Sequence, residues 1–118
     1  MGRVIEGIAL AHELRAEFDY RRGYPPTIST AEEAELCRRA ASRVVGADAV
    51  LTDRRPSMAA EDFSFFAEQR PACYVWIGNG PSEGGRSLHS STYDFNDAIL
   101  GIGASYWVRL VEEALPKR

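Results

Sequence analysis

Two polar stretches carry the side chains best suited to chemistry. The stretch 57–66 holds the adjacent carboxylates Glu61 and Asp62, and the stretch 88–97 holds His89. Carboxylates and imidazole are the groups that proteins use to move protons and to bind metals. Spacing alone favours a structural role for a single histidine, and a catalytic zinc needs about three protein ligands. We therefore predict that this chain carries part of a site, with the remainder outside it.

Composition limits the class of protein. The 118 residues are 45% hydrophobic, which suits one domain with a modest core, or pieces of two. The formal net charge is -3, so the chain has no excess of basic residues to bind the phosphates of nucleic acid. A nucleic-acid partner is therefore not expected. No apolar run approaches the roughly 20 residues of a membrane span, and residues 1–6 do not resemble a signal peptide. Neither a membrane partner nor secretion is expected.

The two cysteines, Cys37 and Cys73, are distant in sequence and form no C-x-x-C motif. Cys37 falls on the apolar face of a predicted helix, and Cys73 falls in an apolar run. Buried free thiols are therefore favoured over a disulfide or a metal site. This interpretation favours a reducing, cytoplasmic location.

Hydrophobic periodicity predicts alternating helices and strands. Apolar residues recur at helical spacing in some segments and alternate, or run continuously, in others. Strand–helix–strand alternation predicts an α/β layer with a partly parallel sheet. The predicted helices cover 3–14, the interval between Thr30 and Gly46, 61–69 and 96–114; the predicted strands cover 16–22, 49–52 and 72–77, the last buried on both faces.

Local signals mark the ends of these elements. Thr30 and Glu33 form a capping-box pattern, and Asp94 or Asn96 is expected to cap the last helix. Gly103, like Gly101, is expected to allow close packing of that helix. The glycine-rich loop 78–85 lacks the Lys-Ser/Thr ending of a phosphate-binding loop. It is expected to be a flexible loop at the end of a central strand, where open α/β sheets place ligands.

Several motifs, in order along most of the chain, resemble one family. The motifs at 58–63, 77–80, 88–90 and 93–97 resemble the C-terminal part of the aminoacylase/carboxypeptidase-type metallohydrolases. The hippurate hydrolases and indole-acetyl-amino-acid hydrolases look like the nearest branch. Residues before position 28 look like the end of that family's inserted lid domain, through the motifs at 5–9, 16–20 and 23–27.

The resemblance implies an α/β fold. Residues 29–118 would form the C-terminal section of a catalytic domain, part of a mixed, mainly parallel sheet with flanking helices. Residues 1–28 would be the last helix and strand of an α+β lid, or dimerisation, domain.

The resemblance also implies chemistry. Such enzymes use a divalent metal, zinc, manganese, cobalt or nickel, and metal-activated water to hydrolyse N-acyl amino acids or peptide-like amides. His89 matches the family's last metal ligand. Ala60, Glu61 and Asp62 match a loop beside the site, where they would orient substrate or hold ligands; the alternative is an acidic helix start that suits the helix dipole.

By the same resemblance, the family's other ligands and its general-base glutamate would belong to a section that precedes residue 1. The chain by itself is therefore expected to be inactive and to bind the metal only weakly.

A different class of function is a non-catalytic α/β module for self-association or partner binding. The predicted strand 16–22 would present a sheet edge, and edges tend to pair with other chains. With much of a sheet missing, apolar surface would be exposed, and a homo-oligomer would cover it.

Overall fold

The computed structural model describes residues 1–80 and 87–115. In these residues the regular structure is helical, and short 3₁₀ turns at Ala47–Ala49 and Asp97–Ile99 accompany the helices. None of the described helices is long and apolar enough to cross a bilayer. The α-helices are α1 (Gly2–Ala11), α2 (Ala31–Val45), α3 (Ser64–Gln69) and α4 (Leu100–Ala114).

The main packing contact joins α2 to α4. Ala40 of α2 has no exposed surface, and Tyr106 of α4 is buried. Glu113, whose side chain is 12% exposed, pairs with Arg39 at 3.4 Å and with Arg43 at 2.8 Å. These ion pairs bring the end of α4 to the second half of α2.

The segment 72–77 lies against both helices. Ile77 Cδ1 is 3.6 Å from the position that a Cβ on Gly103 would occupy, so the bare backbone of α4 allows this approach. This is the close packing expected of Gly103, whereas Gly101 has open space around it. At its other end the segment meets the start of α2, where Thr30 N donates to Ala72 O at 2.9 Å.

The predicted sheet is wrong. No strand occurs in residues 1–80 or 87–115, so the predicted strands 16–22, 49–52 and 72–77 and the α/β fold class are not observed. A strand is stabilised by a ladder of backbone hydrogen bonds with a neighbour. In the described part of the chain, the one backbone-to-backbone hydrogen bond between 72–77 and another segment runs from Thr30 N to Ala72 O. The apolar run has strand-like composition, but without a partner strand no ladder forms.

The helix ends differ in detail from their signals. Thr30 does not cap the backbone of α2; its hydroxyl hydrogen-bonds the Glu33 carboxylate and the Ala72 backbone instead. Asn96 caps the 3₁₀ turn Asp97–Ile99, accepting a hydrogen bond from Ala98 N at 3.2 Å, whereas α4 itself begins after Ile99 without a side-chain cap. Residues 81–86 of the glycine-rich loop and residues 116–118 lie outside the described residues.

Much apolar surface is left uncovered. The accessible surface is 10507 Å², whereas a complete folded monomer of this mass exposes about 6,400 Å². The radius of gyration is 20.5 Å, against about 13.5 Å for a compact domain of this length. Helix α4 contributes to this exposed apolar surface, because its side away from α2 is also apolar. This outer face of α4 consists of Leu100, Trp107, Val108, Val111 and Leu115, each more than half exposed.

A helix that is apolar on two sides is suited to burial on both. The inner face of α4 is covered by α2 and Ile77, but its outer face has no cover among the described residues.

Candidate functional site

Glu61 is held in place by its surroundings, although it lies just before α3. The Tyr74 hydroxyl donates to Glu61 Oε2 at 2.9 Å. The fully buried Ser64 donates from its Oγ to Glu61 O at 2.6 Å. The Phe63 ring packs on Tyr74, with ring centroids 5.4 Å apart. The half-buried carboxylate thus has a defined position, whereas its neighbours Ala60 and Asp62 are exposed.

Hydrogen bonding favours the ionised form of this carboxyl. The bond from Tyr74 is the largest cause that lowers the pKa of Glu61, and the neighbouring Asp62 adds to it. The same bond raises the pKa of Tyr74, because it favours the protonated phenol. Glu61 therefore accepts hydrogen bonds as a carboxylate at neutral pH. Its fixed position suits a group that orients a hydrogen-bond donor.

Replacing Tyr74 by phenylalanine should raise the pKa of Glu61 towards its ordinary value, because the largest stabilising contact of the carboxylate is lost. A carboxyl whose pKa is lower in the folded state stabilises the fold at pH values above its unfolded-state pKa. This stabilisation is lost as the pH falls through the folded-state pKa. The variant should therefore lose less stability than the parent on acidification. Carboxyl ¹³C NMR titration measures the pKa directly.

Tyr93→Phe is the matched control, because the Tyr93 ring packs edge-on against Phe95 and its hydroxyl makes no hydrogen bond with Glu61 among the described residues. It should leave the Glu61 titration unchanged. An unchanged Glu61 pKa in Tyr74→Phe would show that the hydroxyl does not hold the carboxylate in solution.

Asn79 and Asn96 close the base of the loop that carries His89. Asn79 Oδ1 accepts from Asn96 N at 2.9 Å, and Asn96 Nδ2 donates to Asn79 O at 3.2 Å. Asn79 Nδ2 also donates to Asp94 O at 3.0 Å. These bonds join the end of segment 72–77 to the start of α4. Sequence reasoning missed this connection, since an asparagine between glycines indicates only a turn.

His89 lies in a turn on this loop, and its side chain is exposed. Its φ of 63° is in the left-handed region, which is unusual for a residue other than glycine. Ser90 N donates to Ser87 O at 3.2 Å across the turn, and Tyr93 N donates to Ser90 O at 3.2 Å in the next one. Residues held in sparsely populated conformations cluster at functional sites.

The predicted site residues are not joined into one centre. No hydrogen bond or ion pair connects His89 with Glu61 or Asp62 in residues 1–80 and 87–115. The same residues contain no group of three or more His, Cys, Asp or Glu side chains that could hold a metal ion. The donors present therefore do not fit a complete metal site. Tyr74, which sequence reasoning assigned only to an apolar run, contacts Glu61 instead.

Comparison with known proteins places the chain in a family of hydrolases. A family model described as peptidase family M20/M25/M40 matches residues 4–113. The hippurate hydrolase of Campylobacter jejuni is 32% identical over 108 residues, covering 92% of this chain and 27% of that protein. An uncharacterized hydrolase of Sinorhizobium fredii is 32% identical over 97 residues, covering 82% of this chain and 24% of its own. No solved structure gives a significant match.

The chain belongs to the peptidase family M20/M25/M40, as the family match over nearly its whole length shows. The resemblance to the hippurate hydrolase branch of the metallohydrolases is confirmed by the Campylobacter relative. The chain spans about a quarter of the length of the curated relatives it matches.

Proposed function

We propose that this chain is the carboxyl-terminal section of a metal-dependent amidohydrolase that hydrolyses N-acyl amino acids such as hippurate-like amides. The observation that carries the proposal is the similarity to a hippurate hydrolase over 92% of the chain. The division at residue 28 into the end of a lid and a catalytic section remains part of the proposal. Two free thiols support a cytoplasmic location.

Within this proposal the chain supplies positioning groups rather than a whole centre. His89 would contribute one ligand from the loop closed by Asn79 and Asn96. A bound zinc, manganese, cobalt or nickel ion would supply a Lewis acid and an activated water. Glu61, fixed by Tyr74, would accept a hydrogen bond from an amide N–H of the substrate. The chain alone lacks a complete donor set among its described residues, so we expect it to be inactive.

The test compares the complete hydrolase with the 118-residue chain on a panel of N-acyl amino acids that includes N-benzoylglycine. The complete enzyme should release the free amino acid, lose activity with a chelator and regain it with one of the four metals. The isolated chain should give no hydrolysis above background. Chelator-resistant hydrolysis, or turnover by the chain alone, would contradict the proposal.

A second candidate function, self-association, is favoured by the outer face of α4. The α/β part of that alternative is wrong, because no strand is present in the described residues. The exposed apolar side chains on the helix nevertheless support a homo-oligomer of the isolated chain.

A further inference from the structure

The two oxygens of the Glu61 carboxylate have different surroundings. Oε2 accepts a hydrogen bond from the Tyr74 hydroxyl at 2.9 Å. Oε1 accepts from Phe63 N across 3.5 Å, which is long for a hydrogen bond. An ionised carboxylate offers acceptor positions on both oxygens, roughly two on each. Oε1 is therefore the oxygen with the greater capacity to accept a further hydrogen bond.

Tyr74 is itself fixed at its backbone and at its ring. Its backbone N donates to Ser29 Oγ at 3.1 Å, just before the start of α2. Its ring contacts those of Phe63 and Trp76, with centroids 5.4 and 5.8 Å away. A donor held in this way fixes the carboxylate at Oε2, so the position of Oε1 is fixed as well.

One fixed acceptor oxygen matches one N–H donor. Glu61 has no arginine or lysine within ion-pair distance in residues 1–80 and 87–115, where the ion pairs use other carboxylates. A guanidinium would donate two parallel hydrogen bonds and so suits a carboxylate with both oxygens free. The arrangement at Glu61 instead favours the single N–H of a secondary amide.

We propose that Glu61 makes the complete hydrolase selective for secondary amides, because Oε1 accepts a hydrogen bond from the amide N–H that tertiary amides lack. Tyr74 is the positioning residue for this contact. The inference rests on the proposed function and adds the class of amide that the site accepts. A site built to hydrogen-bond a substrate N–H discriminates against analogues without it, since the polar group of the site is then left unpaired.

The test compares two substrates of the complete hydrolase, N-benzoylglycine and N-benzoylsarcosine, in which a methyl group replaces the amide hydrogen. The unmodified enzyme should have a kcat/KM at least about tenfold higher for N-benzoylglycine, the effect of one hydrogen bond to a charged group. The ratio of the two kcat/KM values is the selectivity to be followed in the variants.

Glu61→Gln keeps the size of the side chain and replaces the charged acceptor by an amide. It should lower kcat/KM for N-benzoylglycine at least about tenfold and leave the value for N-benzoylsarcosine within about twofold. Because the size is kept, any steric effect of the methyl group is the same in both enzymes. The change in the ratio then reports the hydrogen bond.

Tyr74→Phe should lower the ratio in the same direction, because Oε1 loses its fixed position. Tyr20→Phe is the matched control, since Tyr20 stacks on Phe18 in the segment after α1. It should leave the ratio unchanged. A variant that folds poorly reduces the amount of active enzyme and lowers both kcat/KM values equally, so the ratio does not depend on folding.

The possible failures are distinguishable. A Glu61→Gln enzyme that keeps the parental ratio, or that loses activity equally on both substrates, would overturn this inference while the proposed hydrolase function stood. Failure of the complete enzyme to hydrolyse either amide would overturn the proposed function, and this inference with it.

Discussion

Replacing His89 by alanine in the complete hydrolase should lower kcat/KM by at least about 10³-fold. A metal ion contributes several kcal/mol of transition-state stabilisation, and each 1.36 kcal/mol corresponds to a factor of ten in rate. If His89 is a ligand, its loss should also lower the metal content of the purified enzyme. Steady-state kinetics on N-benzoylglycine and metal analysis of the same preparations measure both effects.

The backbone at His89 suggests a second variant that separates chemistry from folding. Asparagine tolerates the left-handed conformation better than most residues, so His89→Asn should keep the turn at φ 63° while removing the imidazole. We expect this variant to fold like the parent and to show the same loss of activity and metal. A loss confined to His89→Ala would instead indicate a structural role in the turn.

The other histidine of the chain is the matched control. His12 is exposed at the C-terminal end of α1 and belongs to no part of the proposed site. His12→Ala should leave kcat/KM and metal content unchanged. Full activity in a His89→Ala enzyme would remove His89 from the proposed ligand set, while the family membership of the chain would stand.

The 118-residue chain studied alone should self-associate through the outer face of α4. Its accessible surface of 10507 Å² exceeds that of a compact monomer by about 4,000 Å², so apolar surface is available for burial against a second copy. Trp107 and Val111 are 62% and 57% exposed on this face. Sedimentation velocity over a range of concentrations should therefore show dimers or larger species.

Polar substitutions on this face should weaken the association. Burying one large apolar side chain contributes about 1.5–3 kcal/mol, so Trp107→Gln or Val111→Gln should raise the dissociation constant at least about tenfold. Met58→Gln is the matched control, since Met58 is fully exposed in the loop before α3 and lies off this face. A chain that stays monomeric at high concentration would exclude self-association as its function.

The His89 variants and the α4 variants test different parts of the proposed function. The His89 variants test the chemistry of the complete hydrolase, and the α4 variants test what the isolated chain does with its uncovered surface. Self-association of the isolated chain is compatible with a role as one section of a larger enzyme, because the same apolar face would be covered there by other parts of the protein.

Local signals were sufficient to place the helices. The apolar spacing between Thr30 and Gly46 predicts α2, and the apolar spacing over 96–114 predicts α4. Helices form backbone hydrogen bonds within one segment, so their evidence lies within a short stretch of sequence. The family resemblance could likewise be recognised from short motifs in order.

Strands and contacts between segments depend on partners distant in sequence. The run 72–77 has the composition of a buried strand, yet in the described residues its single backbone-to-backbone hydrogen bond to another segment is at Ala72. Composition could not indicate that Tyr74 would hold Glu61 or that Asn79 would join Asn96. Tertiary packing decides these contacts, because it alone brings residues from separate segments within hydrogen-bonding distance.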